Sequence, residues 1–207
     1  FTATITAKDI QGNTVTGSDA NLSGYTFAVT SNGTNSDYGT APSYHNATIP
    51  FTNGVSNNIS FTLYNNESIT GTNITLSDGS GRVGNAGTNN LVVAPAVLNH
   101  YANDIADPGS INGDGVATFS ATITARDVYG NIVSGASDVD LGVNHISAGT
   151  AGTLGGSSQN LNMSSGTTTI GNLTYSRPGD MELTISDGSI SELASRSFDY
   201  NFNATIG

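Results

Sequence analysis

The sequence predicts an all-β chain built as two antiparallel β-sandwiches in tandem. Three observations carry this. The segment Phe1–Gly17, FTATITAKDIQGNTVTG, returns as Phe119–Gly135, FSATITARDVYGNIVSG, with eleven of seventeen positions identical at an offset of 118. Short runs in which apolar and polar residues alternate are separated by Gly and Asn, the period of half-buried strands joined by turns. Only 10% of the residues are charged, so the polar surface is made of Asn, Thr, Ser and Gly. These residues favour strands and turns over helices. No stretch of ten or more residues shows a helical period.

The elements follow in order. In the second copy Phe119, Ala121, Ile123 and Ala125 alternate with Ser120, Thr122, Thr124 and Arg126. The spacing predicts a strand that buries the first set. The same pattern predicts that Phe1, Ala3, Ile5 and Ala7 face a core. A turn follows each strand, Asp9–Asn13 and Asp127–Asn131. Its Asp can accept backbone N–H bonds, and its Gly-Asn pair tolerates positive φ. A second echo, TLSDGS at Thr75–Ser80 and TISDGS at Thr184–Ser189, has an offset of 109. The first copy therefore carries extra residues between the two landmarks, in loops around Asn53–Asn73. Between the landmarks YTFAVTS and ISFTLYN read as strands of the first copy, NLTYS and MELTISD as strands of the second. A period near 118 suits a whole sandwich domain rather than a solenoid repeat. The boundary falls at Ala94, giving a first domain over 1–94 and a second over 95–207 that includes its lead-in linker. The first domain begins at its inner strand and so lacks its own first strand.

Composition excludes several classes. The net charge is −11, with one Lys and four Arg. A nucleic-acid binder needs a basic stripe to displace counterions from phosphate, and none is present; anionic membrane surfaces are set aside for the same reason. Without cysteine there is no disulfide framework and no thiolate ligand or nucleophile. The longest apolar run, Leu91–Leu98, is too short to span a bilayer and contains Pro95, so no membrane insertion is expected. The chain has no signal-peptide pattern and reads as a mature product or an excised piece.

The motif F-x-x-T-I-T-A-[K/R]-D-x-x-G-N-x-V-x-G resembles the signature of bacterial immunoglobulin-like repeats, the invasin/intimin type and its relatives in large cell-surface proteins. The linker Val93-Ala94-Pro95-Ala96-Val97-Leu98-Asn99-His100-Tyr101 is similar to theirs, with Ala96 where Gly is usual. The resemblance covers both strand–turn landmarks and the linker. It implies two tandem immunoglobulin-like antiparallel β-sandwiches and a spacer, stalk or filament role at an extracellular cell surface. It does not imply an enzyme. His100 belongs to the linker signature and is expected to pack at the domain junction.

Candidate chemistry is sparse. Gly79–Gly84, GSGRVG, fits G-x-G-x-x-G, but NAGTNN follows it and cannot start the helix a pyrophosphate needs. His45, His100 and His145 have no spacing that pairs two of them on one face, and no G-x-S-x-G elbow occurs. Glu67, Glu182 and Glu192 fall on separate elements, which argues against a paired-carboxylate hydrolase. Asp104, Asp107 and Asp114, with Asn103 and Asn112 near them, form a candidate Ca²⁺ site, since hard cations take several carboxylate and carbonyl oxygens; solvated turn residues are the alternative. No other cofactor is implied. Glycosylation sequons stand at Asn21, Asn32, Asn46, Asn58, Asn66, Asn73, Asn162, Asn172 and Asn203. Lys8, the one lysine, falls on the outer face of its strand, and its counterpart is Arg126, which argues against an isopeptide bond.

The expected function is a structural repeat module or subunit of an extracellular stalk or filament, arranged head to tail, with copies of itself or neighbouring repeats as partners. The alternative is an adhesin domain binding a glycan or protein ligand. Only 7% of residues are aromatic and none is Trp, which disfavours sugar stacking. An enzyme accessory domain is a further class. Arg196–Gly207, RSFDYNFNATIG, reads as a surplus strand, so two continuities are open: neighbours in a longer array, or C-terminal strands that complete the next subunit.

Overall fold

Strands dominate the computed structural model, which describes residues 1–17, 22–104, 109–192 and 199–203. The chain forms two units, Phe1–Ala94 and Pro95–Gly207. In the first, the strands are β1 (Thr2–Ala3), β2 (Thr26–Thr30), β3 (Asn46–Thr48), β4 (Phe51–Thr52), β5 (Val55–Ser56), β6 (Ile59–Ser60), β7 (Glu67–Thr70), β8 (Thr75–Ser77), β9 (Val83–Asn85) and β10 (Asn90–Val93), with a 3-10 turn at Gly71–Asn73. In the second they are β11 (His100–Asn103), β12 (Ile111–Asn112), β13 (Thr118–Arg126), β14 (Ala136–His145), β15 (Leu154–Gly155), β16 (Leu161–Met163), β17 (Thr167–Tyr175), β18 (Gly179–Ser186) and β19 (Asp199–Asn203).

The second unit is a two-sheet sandwich. One sheet runs β11-β13-β17-β15, the other β12-β19-β18-β14-β16. Among the described residues the strands pair antiparallel except β12 on β19, and Tyr101 forms an isolated parallel bridge with Glu192. The alternation read in β13 holds: Phe119 is 4% exposed, and Ala121, Ile123 and Ala125 are fully buried. They meet Leu141, Leu183, Ile185, Tyr200 and Phe202 from the opposite sheet. The Phe119 ring lies 4.8 Å from Tyr200 and 5.3 Å from Phe202, centroid to centroid.

The Asp127 turn has a larger role than a turn start. Asp127 is fully buried. Its carboxylate accepts the N–H groups of Tyr129 (2.8 Å) and Asn131 (2.9 Å), the Asn131 side-chain amide (2.8 Å) and the Ala96 N–H (2.8 Å). Burial alone would raise its pKa, but these donors outweigh it and hold the carboxyl below the usual range. The last bond fastens the segment just after Pro95 to the end of β13.

The first unit repeats this plan with shorter strands. Its largest sheet runs β3-β2-β8-β9; the remaining strands form the pairs β1-β6, β4-β5 and β10-β7. Pairing of β2 with β8 answers pairing of β14 with β18, with TLSDGS and TISDGS at the equivalent places. Around the repeated strand even single bonds recur. Ala7 N–H donates to Gly54 O and Val15 N–H to Ala7 O (2.8 and 3.0 Å); Ala125 N–H donates to Gly166 O and Val133 N–H to Ala125 O (2.8 and 2.9 Å). Gly54 and Gly166 both hold positive φ, +76° and +83°, and a Cβ at either would meet the Val15 or Val133 carbonyl. The Asp9 turn repeats the bonds from Gln11 and Asn13, but it is exposed.

One expectation fails in the first unit. Phe1 is 44% exposed, with its ring 5.6 Å from that of Phe61. Ala3 is exposed, and Ile5 and Ala7 are half-buried against a core of Phe27, Val29, Phe51, Ile59 and Phe61. The side chains alternate as the sequence requires. Among the described residues, however, nothing lies over them.

Candidate functional site

An elongated groove opens along the repeated strand of the first unit. It consists of two adjoining hollows of about 270 and 180 Å³ that share Ile5, Thr6, Leu76 and Gly84. One wall is Ala3–Lys8 and the other is β9. Phe27 and Phe51 line the first hollow, Val29, Ile59 and Phe61 the second. Burial alternates along Thr4–Lys8, and so do the backbone bonds. Ile5 and Ala7 bond inward, to Ser56 and to Gly54 and Val15. Thr6 and Lys8 stand opposite Val55 and Thr14 in isolated antiparallel bridges, whose bonds are made by the neighbouring Ile5, Ala7 and Asp9.

The second unit shows the same face covered. β11 pairs with β13 as His100↔Arg126, Tyr101↔Ala125, Ala102↔Thr124 and Asn103↔Ile123. At the repeat offset those four partners correspond to Lys8, Ala7, Thr6 and Ile5. Tyr101 is fully buried and its hydroxyl donates to Asp187 Oδ2 at 2.8 Å. Burial, and then the Asp187 carboxylate, push that hydroxyl's pKa up. The Asn103 amide donates to the Tyr200 hydroxyl at 2.8 Å, and burial pushes Tyr200 up to about 12. The counterpart of Asp187 is Asp78. There the carboxylate is bonded by the Arg82 guanidinium, and Arg82 lies over the Tyr25 ring at 4.2 Å.

The sequence-predicted site residues that are described each have local partners or an exposed position. Asp104 pairs with Arg126 at 2.9 Å. Asp114 accepts the N–H groups of Val116 and Ala117, both at 2.8 Å, which hold its pKa down. Asp107 lies outside the described residues, and among those described no three His, Cys, Asp or Glu side chains gather as metal ligands do. Asn32, Asn46, Asn58, Asn66, Asn73, Asn162, Asn172 and Asn203 are all exposed; Asn21 lies outside the described residues. The glutamates serve separate structural bonds: Glu67 accepts from Thr34, Glu182 from the Asn144 amide, Glu192 from the Ile185 N–H. His100 is buried in β11 beside Asn99, and His145 bonds the Tyr175 hydroxyl at 3.0 Å. GSGRVG runs from the link after β8 into the first two residues of β9. Lys8 Nζ donates to Gly12 O as Arg126 does to Gly130 O, so the two cations brace equivalent turns. Sequence reasoning did not single out Tyr101 and Asp187. The signal was available, since each belongs to a segment already read as a landmark.

No protein-family model and no curated protein matches the chain. Among solved structures it is similar to invasin, a bacterial integrin-binding protein, at 20% identity and TM-score 0.37, over 99% of this chain and 36% of that one. It is also similar to domains 5–6 of the S-layer protein SbsC, at 20% identity and TM-score 0.34, over 100% of this chain and 91% of that one. A glycosyl hydrolase family 2 member from Bacteroides cellulosilyticus aligns at 12% identity and TM-score 0.41, over 86% of this chain and 22% of that one. At these identities the likeness is one of fold. The chain spans about a third of the invasin structure.

Proposed function

We propose that the chain is a non-catalytic structural repeat module of a cell-surface protein, with units arranged head to tail as part of a stalk, layer or filament. One observation carries the reading: the same strand, turn and cross-strand bonds are built twice, and in the second unit the buried Asp127 clasps the residues that lead into it. A module that ties its own lead-in to its inner strand can be repeated along a chain without new chemistry. The polar, charge-poor exterior suits a spacer exposed to solvent. Antibody raised against the chain should label the outside of intact source cells, and electron microscopy should place that label on a regular layer or appendage. Label seen only after the cells are permeabilised would overturn the proposal.

A further inference from the structure

We infer that Asn46 and Asn162 carry N-linked oligosaccharides, which guard one sheet edge in each unit. The two asparagines stand at equivalent places in the fold. The sheet of the first unit runs β3-β2-β8-β9, and its counterpart in the second runs β16-β14-β18-β19-β12. β3 therefore borders β2 as β16 borders β14, and among the described residues each is the last strand of its sheet. Asn46-Ala47-Thr48 makes up β3, and Asn162-Met163-Ser164 begins within β16. Each of these edges thus carries the N-x-[S/T] acceptor sequence. An edge strand presents N–H and C=O groups that can pair with another chain, and proteins blunt it with charged side chains, Lys above all. Neither β3 nor β16 holds a charged residue, and the one Lys of the chain is Lys8. A bulky, hydrated oligosaccharide blocks the approach of a second strand in their stead.

The strand geometry presents both acceptors. Residues i and i+2 of an extended strand share a face. On β16 Leu161 is half-buried and Met163 fully buried, so Asn162 between them points outward; Asn162 and Ser164 are both exposed. On β3 Asn46 pairs with Ala28, which lies between the buried Phe27 and Val29, and Asn46 and Thr48 are both exposed. Among the described residues these four side chains make no hydrogen bond, so amide and hydroxyl are offered to solvent together. Elsewhere the acceptor sequence is engaged within the fold. Thr34, two residues after Asn32, donates to Glu67 at 3.1 Å; Thr75, two after Asn73, bonds Thr30 at 2.8 Å; the Asn172 amide donates to Ser157 at 3.2 Å. The registers of β1 on β6 and of β13 on β17 set Thr169 in the place of Asn58, so that acceptor does not recur. The modification is a group transfer from a lipid-phosphate-linked oligosaccharide. The asparagine Nδ2 attacks C1 of the first sugar and the C1–N bond forms. The C1–O bond to phosphate breaks, the lipid phosphate leaves with that electron pair, and the amide yields one proton to a base.

The inference rests on the cell-surface reading for the chain's meeting with such a donor, but its test is read separately. The protein is captured by antibody from its source cells and digested. Its peptides are sequenced by mass spectrometry under electron-transfer fragmentation, which leaves sugar on the side chain that bears it. Oligosaccharide mass is expected on Asn46 and on Asn162. Chains expressed in the same cells with Thr48→Ala or Ser164→Ala keep the asparagine and should lose the sugar at that site alone. Three outcomes would overturn the proposal: a bare asparagine at either site; carbohydrate confined to other acceptor sequences; or sugar that persists on Asn46 in Thr48→Ala or on Asn162 in Ser164→Ala. Bare asparagines on a chain that labels intact cells sink this inference and leave the surface reading standing. Sugar on a chain labelled only after permeabilisation does the reverse.

Discussion

Replacing Phe119 with Ala tests the two-unit reading most directly, because Phe1 provides its internal control. Phe119 is 4% exposed and packs on two rings, Tyr200 at 4.8 Å and Phe202 at 5.3 Å. Burying such a side chain contributes about 2–3 kcal/mol. Its removal also leaves a cavity in a closed core, so Phe119→Ala should cost the second unit about 3–5 kcal/mol. Phe1 occupies the same place in the repeat but is 44% exposed, with a single ring neighbour among the described residues. It removes far less surface from water and leaves no closed cavity, so Phe1→Ala should cost about 1 kcal/mol. Urea unfolding of the full chain, followed by hydrogen-exchange mass spectrometry, separates the two units where one overall unfolding free energy would be ill-defined. Equal losses for the two substitutions, or a loss below about 1 kcal/mol for Phe119→Ala, would refute the assignment of an enclosed and an open face to the same strand.

Two further outcomes follow from the second unit. Asp127→Ala strands several buried N–H donors and should cost about 2–4 kcal/mol in urea unfolding, whereas Asp9→Ala on the exposed turn should cost clearly less. Because folding holds the Asp127 pKa below its ordinary 3.8, its contribution is present above that value and fades as pH falls through the folded pKa. The second unit should therefore weaken below about pH 4, and Asp127→Asn should flatten that dependence in an acid titration followed by circular dichroism. Tyr101→Phe removes the hydroxyl bonded to Asp187 and should cost about 1–3 kcal/mol; an unchanged unfolding midpoint would show that the bond carries no net stability.

Much of the fold was legible because the repeat exposes it twice. A strand of Phe, Ala, Ile and Ala at alternate positions has one apolar face, and that face is fully enclosed in β13. The turn was legible too, through Asp and Gly-Asn. The depth of Asp127 was not, since local sequence does not reveal which neighbouring segment will cover a turn; Ala96 supplies that cover from 31 residues away. The same limit explains Phe1. Its local pattern matches that of Phe119, and the difference lies in what is laid over the strand, a long-range property. Asp104, Asp107 and Asp114 read as a candidate cation site because acidic residues cluster there in a charge-poor chain. Asp107 lies outside the described residues; of the other two, Asp104 pairs with Arg126 and Asp114 accepts the N–H groups of its own turn. Tyr101 was noticed as part of a linker motif, but only the three-dimensional pairing shows it as a core residue.

The parallel pairing of β12 with β19 has a mechanical consequence. Ile111 lies opposite Phe202 and Asn112 opposite Asn203, and the Gly113 N–H continues the contact to Asn203 O at 3.0 Å. The two strands run the same way, so tension that enters ahead of β12 and leaves beyond β19 pulls them in opposite senses along their common axis. Their bonds are then strained together, in shear. A hairpin whose two ends leave from the same side peels open one bond at a time under a much smaller force. Stretching the second unit along its chain therefore meets resistance at this short clamp before the Phe119 core can be laid open.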